Sequence, residues 1–466
     1  MALGRRKDET QELWVASTDL ARAPGHPFYT ALNQLLAEGG FDRWVEKLCN
    51  PYYADSGRPG IPPGVYFRMI FVGYFEGLGS QRGIAWRCAD SLSLRDFLGI
   101  AVTDRTPDHS SLTIIRKRLP LEAFHKVFSF VLKLAHKKGF FKGKIAGMDA
   151  TLLEANAAMR SIVRRDTGED WKEYVRRLAE EEGIEIDDDE DLRRYDKKRK
   201  KKSASNKDWV SKTDPDSRVM RMKDKRTHLS YKAEHVADLE TELILAAEIY
   251  EGTRSDGSTA AESARKAKEN VRRTLGRNGL EDMVADKGYD KAEALAELQG
   301  LGLRTYVPER DDRYCKIWIG KPAAWKKAVY ANRRRVRGKR NGNLQRRRTE
   351  VTERSFAHAC GTGDGRRSWL RGLEEVRKRH LVLIAALNLG VIMRKAFGVG
   401  TPRSLQDLSL LLRPLIRTVQ VLLRPSDCPA KPLGVQRLAA AVAKCIAAGN
   451  PTASRSGPTL ASSTGC

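Results

Sequence analysis

The chain has 466 residues and a formal net charge of +26, from 85 basic and 59 acidic side chains, and 41% of its residues are hydrophobic. That hydrophobic share can build a sizeable core and excludes a wholly disordered chain, while the charge points to a polyanionic partner, nucleic acid before anionic membrane. Its seven cysteines are scattered with no CxxC pair, which excludes a zinc ribbon and argues against a disulfide framework. The longest apolar run, residues 381–393, is too short for a bilayer and reads as a buried helix. The opening MALGRRKDETQELW has no apolar leader segment, so a cytoplasmic setting with reduced thiols is expected.

The first 140 residues read as a mainly helical domain. Leu32, Leu35, Leu36, Phe41, Trp44 and Leu48 recur at helical spacing, which predicts a helix over 31–48. Pro62 and Pro63 open a second helix, carrying Val65, Tyr66, Met69, Ile70, Val72 and Phe75, because proline fits a first turn. Shorter helices are expected at 81–89 and 94–98. Another begins at Pro107, with Thr106 as its N-cap, and runs through DHSSLTIIRKRL. Its basic residues Arg116, Lys117 and Arg118 make it a candidate DNA-contacting helix in a helix-turn-helix-like set; a plain bundle with a solvated charged face fits the same pattern.

The texture changes at Gly139. KIAGMDATLLEA reads as a strand with Asp149 near its tip. Residues 156–226 hold an acidic run over 180–191 and a basic run over 197–202, the mark of a solvated insertion. LSYKAEHVAD and ELILAAEIYEG form a hairpin joined near 239–241. A helix follows in STAAESARKAKENVRRTLG, then a strand in EDMVADKGYD, a helix in KAEALAELQGLG and a strand in RTYVPE. A very basic stretch spans 310–348, a helix starts near Glu350, and a long apolar helix covers 372–397. The order over 141–400 is β-β-β-α-β-α-β-α, that of an α/β ribonuclease-H-like catalytic domain; a doubly wound sheet would alternate from the start. Residues 401–466 read as a further helical segment and a Pro/Ser/Thr/Gly tail expected to be disordered.

In such a sheet the first and fourth strands are neighbours, so Asp149 in GMDAT and Asp286 in MVADKGYD would converge. Alone, an aspartate at a strand end is usually a turn residue or helix cap. Two close carboxylates repel unless a cation neutralises them. Mg²⁺ takes one or two carboxylates with waters and phosphates, which beside a basic surface suggests phosphodiester chemistry. TEVTERSFAHA offers a third acid at Glu350 or Glu353, and spacing does not choose between them. Arg333, Arg334, Arg335, Arg346, Arg347, Arg348, Arg354, Arg366 and Arg367 crowd this region as candidate DNA-backbone contacts. Trp318 and Trp325 in the basic stretch read as buried rather than base-stacking.

Several blocks carry a resemblance. GMDATLLEANAAMRSIVRRDTG, YKAEHVADLET, ADKGYD and TERSFAH…GRRSWLRGLEEVRKR, preceded by HPFYTALNQLL, GRPGIPP and LRDFLGI…PDHSSLTIIRKRL, resemble bacterial insertion-sequence transposases of the DDE type. The nearest group is the insertion-sequence-five supergroup with an InsH-like N-terminal domain. The resemblance implies catalytic and metal-binding roles for Asp149, Asp286 and Glu353, and two Mg²⁺ ions for which Mn²⁺ can substitute. It implies cleavage at transposon ends and attack of the freed 3′-OH on target DNA. The implied partners are double-stranded DNA, as terminal inverted repeats and target, and a second copy of the chain, at the nucleoid and away from membranes. Related transposases place an arginine four residues before the glutamate and a lysine seven after it. Here those positions are Thr349 and Cys360, so the basic roles would pass to Arg348, Arg354, Arg366 or Arg367. A DNA-binding protein that has lost catalysis, or a nuclease of the same fold, would share these blocks.

Overall fold

A computed structural model describes residues 25–404, apart from 58–59, 187, 200–204, 223, 311–317 and 364. Contacts divide the chain after Leu405, and everything below belongs to the first unit. The segment and tail expected beyond 404 lie outside the described residues.

The chain opens with helices α1 (Pro27–Gly39), α2 (Phe41–Cys49), α3 (Pro63–Glu76), α4 (Gln81–Asp90), α5 (Leu92–Leu98), α6 (His109–Arg118) and α7 (Leu121–Lys137). The helix expected over 31–48 is two helices. Gly40 is left-handed at φ 67°, and its N–H caps the carbonyls of Leu36 and Ala37 before the chain turns into α2. The later helix begins at His109, two residues past Pro107; Asp108, extended at φ −80° and ψ 160°, is its N-cap instead of Thr106. On α6, Leu112, Ile115 and Arg116 are the buried positions.

Next come β1 (Ile145–Glu154), β2 (Ile162–Arg164), α8 (Trp171–Glu181), α9 (Asp189–Lys198), β3 (Trp209–Ser211) and β4 (Arg218–Arg221). The described residues of the charged stretch from 156 to 226 therefore include two helices and three strands. Some of its acidic residues sit at helix starts, where the dipole favours them, while Glu180 and Glu181 end α8. Asp170 and Glu173 form a reciprocal capping box on α8. Asp188 caps α9, whose first turn is Asp189, Glu190 and Asp191 and whose last turn holds Lys197 and Lys198.

The remaining elements are β5 (Thr227–Asp238), β6 (Ile244–Glu251), α10 (Asp256–Leu275), β7 (Asp282–Val284), α11 (Ala292–Gly300), β8 (Arg304–Tyr306), α12 (Ala323–Val336), α13 (Lys339–Gly361) and α14 (Leu373–Phe397). The main sheet runs β4-β5-β1-β7-β8, and β6 pairs with the far half of β5. β5 and β6 are antiparallel, β5 and β1 antiparallel, and β7 and β8 run parallel to β1. This is the ribonuclease-H-like order. Much of the basic stretch is helical rather than a linker, since α12 buries Ala328, Val329 and Asn332 and α13 buries Val351, Thr352, Ser355 and Ala359. The helix expected from Glu350 starts at Lys339.

One hydrophobic core joins the N-terminal helices to the sheet. It includes Phe67 and Phe71 of α3, Phe124 and Phe128 of α7, Met148 of β1, Val236 of β5 and Ile384 of α14. α14 is long and apolar enough to cross a membrane, but 67% of its most apolar window is buried inside the fold, as suits a core helix. α13 and α14 cover one face of the sheet, and α10 covers the other.

Buried asparagines fasten two helices to strand ends. Asn388 of α14 accepts from Ile244 N at 2.8 Å and donates to Ile244 O at 2.9 Å, beside a register shift between Val236 and Ala237. Asn332 of α12 does the same for Val307, at 3.0 and 2.7 Å. Asn388→Leu strips partners from two buried backbone groups. It is expected to cost about 3 kcal/mol of stability, read as a fall in the denaturant midpoint at unchanged slope.

Candidate active site

Register decides what faces what at the sheet centre. β1 pairs with β7 in parallel, with Ile145 opposite Asp282 and Gly147 opposite Val284. Continuing two residues along both chains sets Asp149 level with Asp286. β7 ends at Val284, while β1 continues to Glu154 because β5 pairs with it as far as Ser230. Asp149 is therefore in mid-strand, not at a tip as the sequence suggested, and the edge of β1 beside it is open.

Asp286 caps a short 3-10 turn, Lys287–Tyr289, and its Oδ1 accepts from Gly288 N at 2.8 Å. Burial first, and the charge of Asp149 second, raise its carboxyl above the usual range. Asp149 Oδ2 lies 3.1 Å from both Arg348 Nη1 and the Thr352 hydroxyl of α13, and its Oδ1 accepts from Ala150 N. Gly147 makes room for this approach, since a Cβ there would stand 2.6 Å from Leu239 and 3.0 Å from Arg348.

Glu353 follows Thr352 by one residue, about 100° further round α13. It is exposed, and among the described residues no trio of His, Cys, Asp or Glu gathers closely enough to hold a metal ion. The fold thus brings Asp149 and Asp286 together and leaves Glu353 on the adjoining flank. Glu350 is engaged elsewhere, with Arg347 at 3.0 Å and Arg354 at 2.7 Å, and those arginines hold its carboxyl below the usual range. An all-carboxylate set of two facing acids suits a hard divalent cation that keeps waters and takes phosphate oxygens as further ligands.

A second polar cluster, missed in the sequence, lies beneath Asp286. Lys232 of β5, 3% exposed, reaches Glu234 Oε2 at 2.9 Å, Asp256 Oδ1 at 2.8 Å and the Thr259 hydroxyl at 2.7 Å. Tyr289, in the turn that Asp286 caps, donates to Glu234 Oε2 at 3.0 Å. Arg310 holds the same turn from outside, through the carbonyls of Lys287 and Gly288. A Cβ on Gly288 would lie 2.6 Å from Asp256 Oδ2 and 2.9 Å from Asp286 Oδ1, so the sum of these bounds the two oxygens within 5.5 Å of each other. The available signal was a lysine and a glutamate two apart in an apolar strand, which puts both on one face. Gly288→Ala is expected to push the two carboxylates apart and lower strand cleavage by ~10–100-fold with DNA affinity kept, measured by steady-state cleavage and filter binding.

The basic candidates divide. Arg116 is not available to DNA: it is 7% exposed, and its Nε donates to Glu375 Oε2 at 2.5 Å, because α6 turns this position toward α14. Arg335 is also turned inward, its Nε on Thr305 O at 2.8 Å, and burial lowers its proton affinity. Arg348 serves Asp149. Arg333 pairs with Glu309, while Arg347 and Arg354 pair with Glu242. Lys117, Arg118, Arg334, Arg346, Arg366 and Arg367 are exposed. Trp318 packs against the core and Trp325 is half-buried.

Comparison with known families now bears on this geometry. Residues 19–118 match the family described as Transposase domain (DUF772), and residues 210–389 match the Transposase DDE domain. The chain belongs to the DDE transposases of insertion sequences. No curated protein matches it. It is thus a DNA transposase, an enzyme of polynucleotidyl transfer, and its family uses divalent metal ions. The two matches bracket Asp149 without including it. The second match contains Asp286, Glu353, Arg348, Lys232 and Asp256.

Proposed function

We propose that this transposase cuts DNA at the ends of an insertion sequence of the five supergroup and joins the freed 3′-OH to target DNA, using Asp149 and Asp286 as its acidic centre. The parallel register of β1 and β7 carries the reading, because it sets two carboxylates level at an open strand edge. Glu353 supplies the third carboxylate from α13, and Glu350 does not, being tied to Arg347 and Arg354. Asp149, Asp286 and Glu353 would hold two Mg²⁺ ions, or Mn²⁺ in their place, which neutralise charge on the attacking and leaving oxygens.

The chain's own groups orient and steady this centre. Arg348 and Thr352 fix the rotamer of Asp149, and the Gly288 N–H fixes that of Asp286. Burial and the charge of Asp149 raise the carboxyl of Asp286, so protons compete with a cation there more than at an ordinary aspartate, and cleavage is expected to need more metal as pH falls. Lys117, Arg118, Arg334, Arg346, Arg366 and Arg367 hold the phosphate backbone, a salt-sensitive contact. The exposed side of α6, with Ile114, Lys117 and Arg118, reads base edges of the terminal repeats. Two copies would pair two ends, acting on nucleoid DNA in the cytoplasm.

The test is a cleavage and strand-joining assay on DNA carrying the element's ends, with and without Mg²⁺. Metal-dependent cutting followed by joining supports the reading. Cutting without joining would make the protein a nuclease, and tight binding with neither step would make it a DNA-binding protein.

A further inference from the structure

Between the N-terminal helices and the segment linking α13 to α14 lies a narrow cleft that opens to solvent. Ile70 and Tyr74 of α3, Phe124 of α7 and Val382 and Leu383 of α14 form apolar walls. Gln81, Arg116 and Trp369 line the same space, and each carries a hydrogen-bond donor at its wall: Gln81 Nε2, Arg116 Nη1 and Trp369 Nε1, all three covered by neighbouring atoms. Each is buried with no hydrogen-bond partner among the described residues.

The rest of each side chain is committed. Gln81 is 8% exposed, and its Oε1 accepts from the Thr113 hydroxyl at 2.5 Å. Arg116 is 7% exposed and spends its Nε on Glu375. Both guanidiniums of Arg116 and Arg379 lie against the Trp369 ring, 5.7 and 5.2 Å from its centre, which leaves the indole N–H as its open polar group. Unmet buried donors are costly, and no lining residue has an unmet buried side-chain acceptor to balance them. Donors alone on an apolar wall are complementary to an anion's oxygens with an apolar body behind them. Glu375 offsets part of the cationic charge of Arg116 and Lys378, which favours a singly charged anion over a doubly charged one.

We propose that this cleft binds a small organic carboxylate, its oxygens on Gln81, Arg116 and Trp369 and its apolar part against α3 and α14. The ligand touches α4, α6 and the segment carrying Trp369. That segment is bonded to the end of β1, with Ser368 N on Glu154 O at 2.8 Å and Glu154 N on Arg366 O at 3.2 Å. Occupancy therefore stiffens the link between α6 and the strand that bears Asp149.

The full-length chain with ¹⁵N-labelled tryptophan is titrated with benzoate and with butyrate, and in parallel with benzyl alcohol and with sulfate. The indole N–H signal that disappears in Trp369→Phe is expected to move with both carboxylates and to stay in place with the other two. By calorimetry, Gln81→Leu and Trp369→Phe are each expected to bind benzoate at least ~10-fold more weakly, with circular dichroism showing both folded. An unmoved Trp369 signal, or unchanged affinity in both variants, would mean that the cleft holds water only. Equal movement with sulfate or benzyl alcohol would refute the carboxylate. Asp286→Asn is expected to bind benzoate normally, so this result stands or falls apart from the acidic centre.

Discussion

Asparagine at position 149 or 286 is expected to lower strand cleavage by at least ~10³-fold, about 4 kcal/mol of transition-state stabilisation, with DNA affinity within about twofold of the parent. The substitution keeps shape and removes one of two facing charges, although at 149 the amide nitrogen can no longer accept from Ala150 N. Asp149 would still accept from Arg348 and Thr352 as an amide, so the fold has little reason to change. What is lost is the anionic pair that attracts a divalent cation. The glutamates separate in the same assay. Glu353→Gln is expected to lower cleavage by ~100-fold or more, because the α13 carboxylate completes the acidic set. Glu350→Gln should leave cleavage near the parent rate, because it breaks only exposed ion pairs worth less than about 1 kcal/mol. Equal loss in both glutamine variants would assign the third acid wrongly.

Acid should destabilise the folded chain well before it protonates most carboxylates. His235 of β5 and His380 of α14 meet through their Nε2 atoms at 3.0 Å, both buried. His235 also contacts the Ser355 hydroxyl and stacks on Phe356 of α13, with ring centres 4.2 Å apart. Burial pushes His380 down to about 3 and His235 well below its usual value, and burial also pushes His125 of α7 down to about 4. A depressed folded pKa means that the unfolded chain takes the proton first. The stability these neutral rings contribute is intact above about pH 6.5 and is lost as pH falls below it. At pH 5 His380 and His125 each cost about 2 kcal/mol, and His235 acts in the same direction. Glu248, pushed up to about 7 by burial, works the other way and returns about 2 kcal/mol over the same range. The histidines outweigh Glu248, so a net loss of about 2 kcal/mol or more is expected between pH 7.5 and pH 5, a large share of a typical domain's stability. Denaturant titrations at the two pH values measure it. His380→Gln should remove about 2 kcal/mol of the pH dependence, and an unchanged dependence would contradict this assignment.

The parts of the fold legible from sequence were those with local periodicity. YKAEHVAD and ELILAAEIYEG read as paired strands because their apolar residues bracket a short turn, and β5 and β6 lie there. Asp149 and Asp286 could be named because each follows a short apolar run, and sheet order then makes their strands neighbours. What stayed hidden depended on tertiary partners. Lys232, Glu234 and Asp256 are held by one another across β5 and α10, a pairing that no spacing along the chain reveals. Arg116 sat in a basic triplet with Lys117 and Arg118, and only the packing of α6 on α14 shows that one of the three turns inward. The arginine-rich stretch concealed α12 and α13, because their buried stripes use Ala, Asn, Thr and Ser rather than large apolar residues.

The most direct measurement is where a bound metal ion sits along the chain. Iron(II) loaded onto the full-length protein with ascorbate and peroxide cuts the backbone within reach of the ion. Cuts are expected beside residues 149 and 286, suppressed by excess Mg²⁺ and absent when both aspartates are asparagine. Cuts confined to other segments, or cuts at these two positions indifferent to Mg²⁺, would contradict an acidic centre built on β1 and β7.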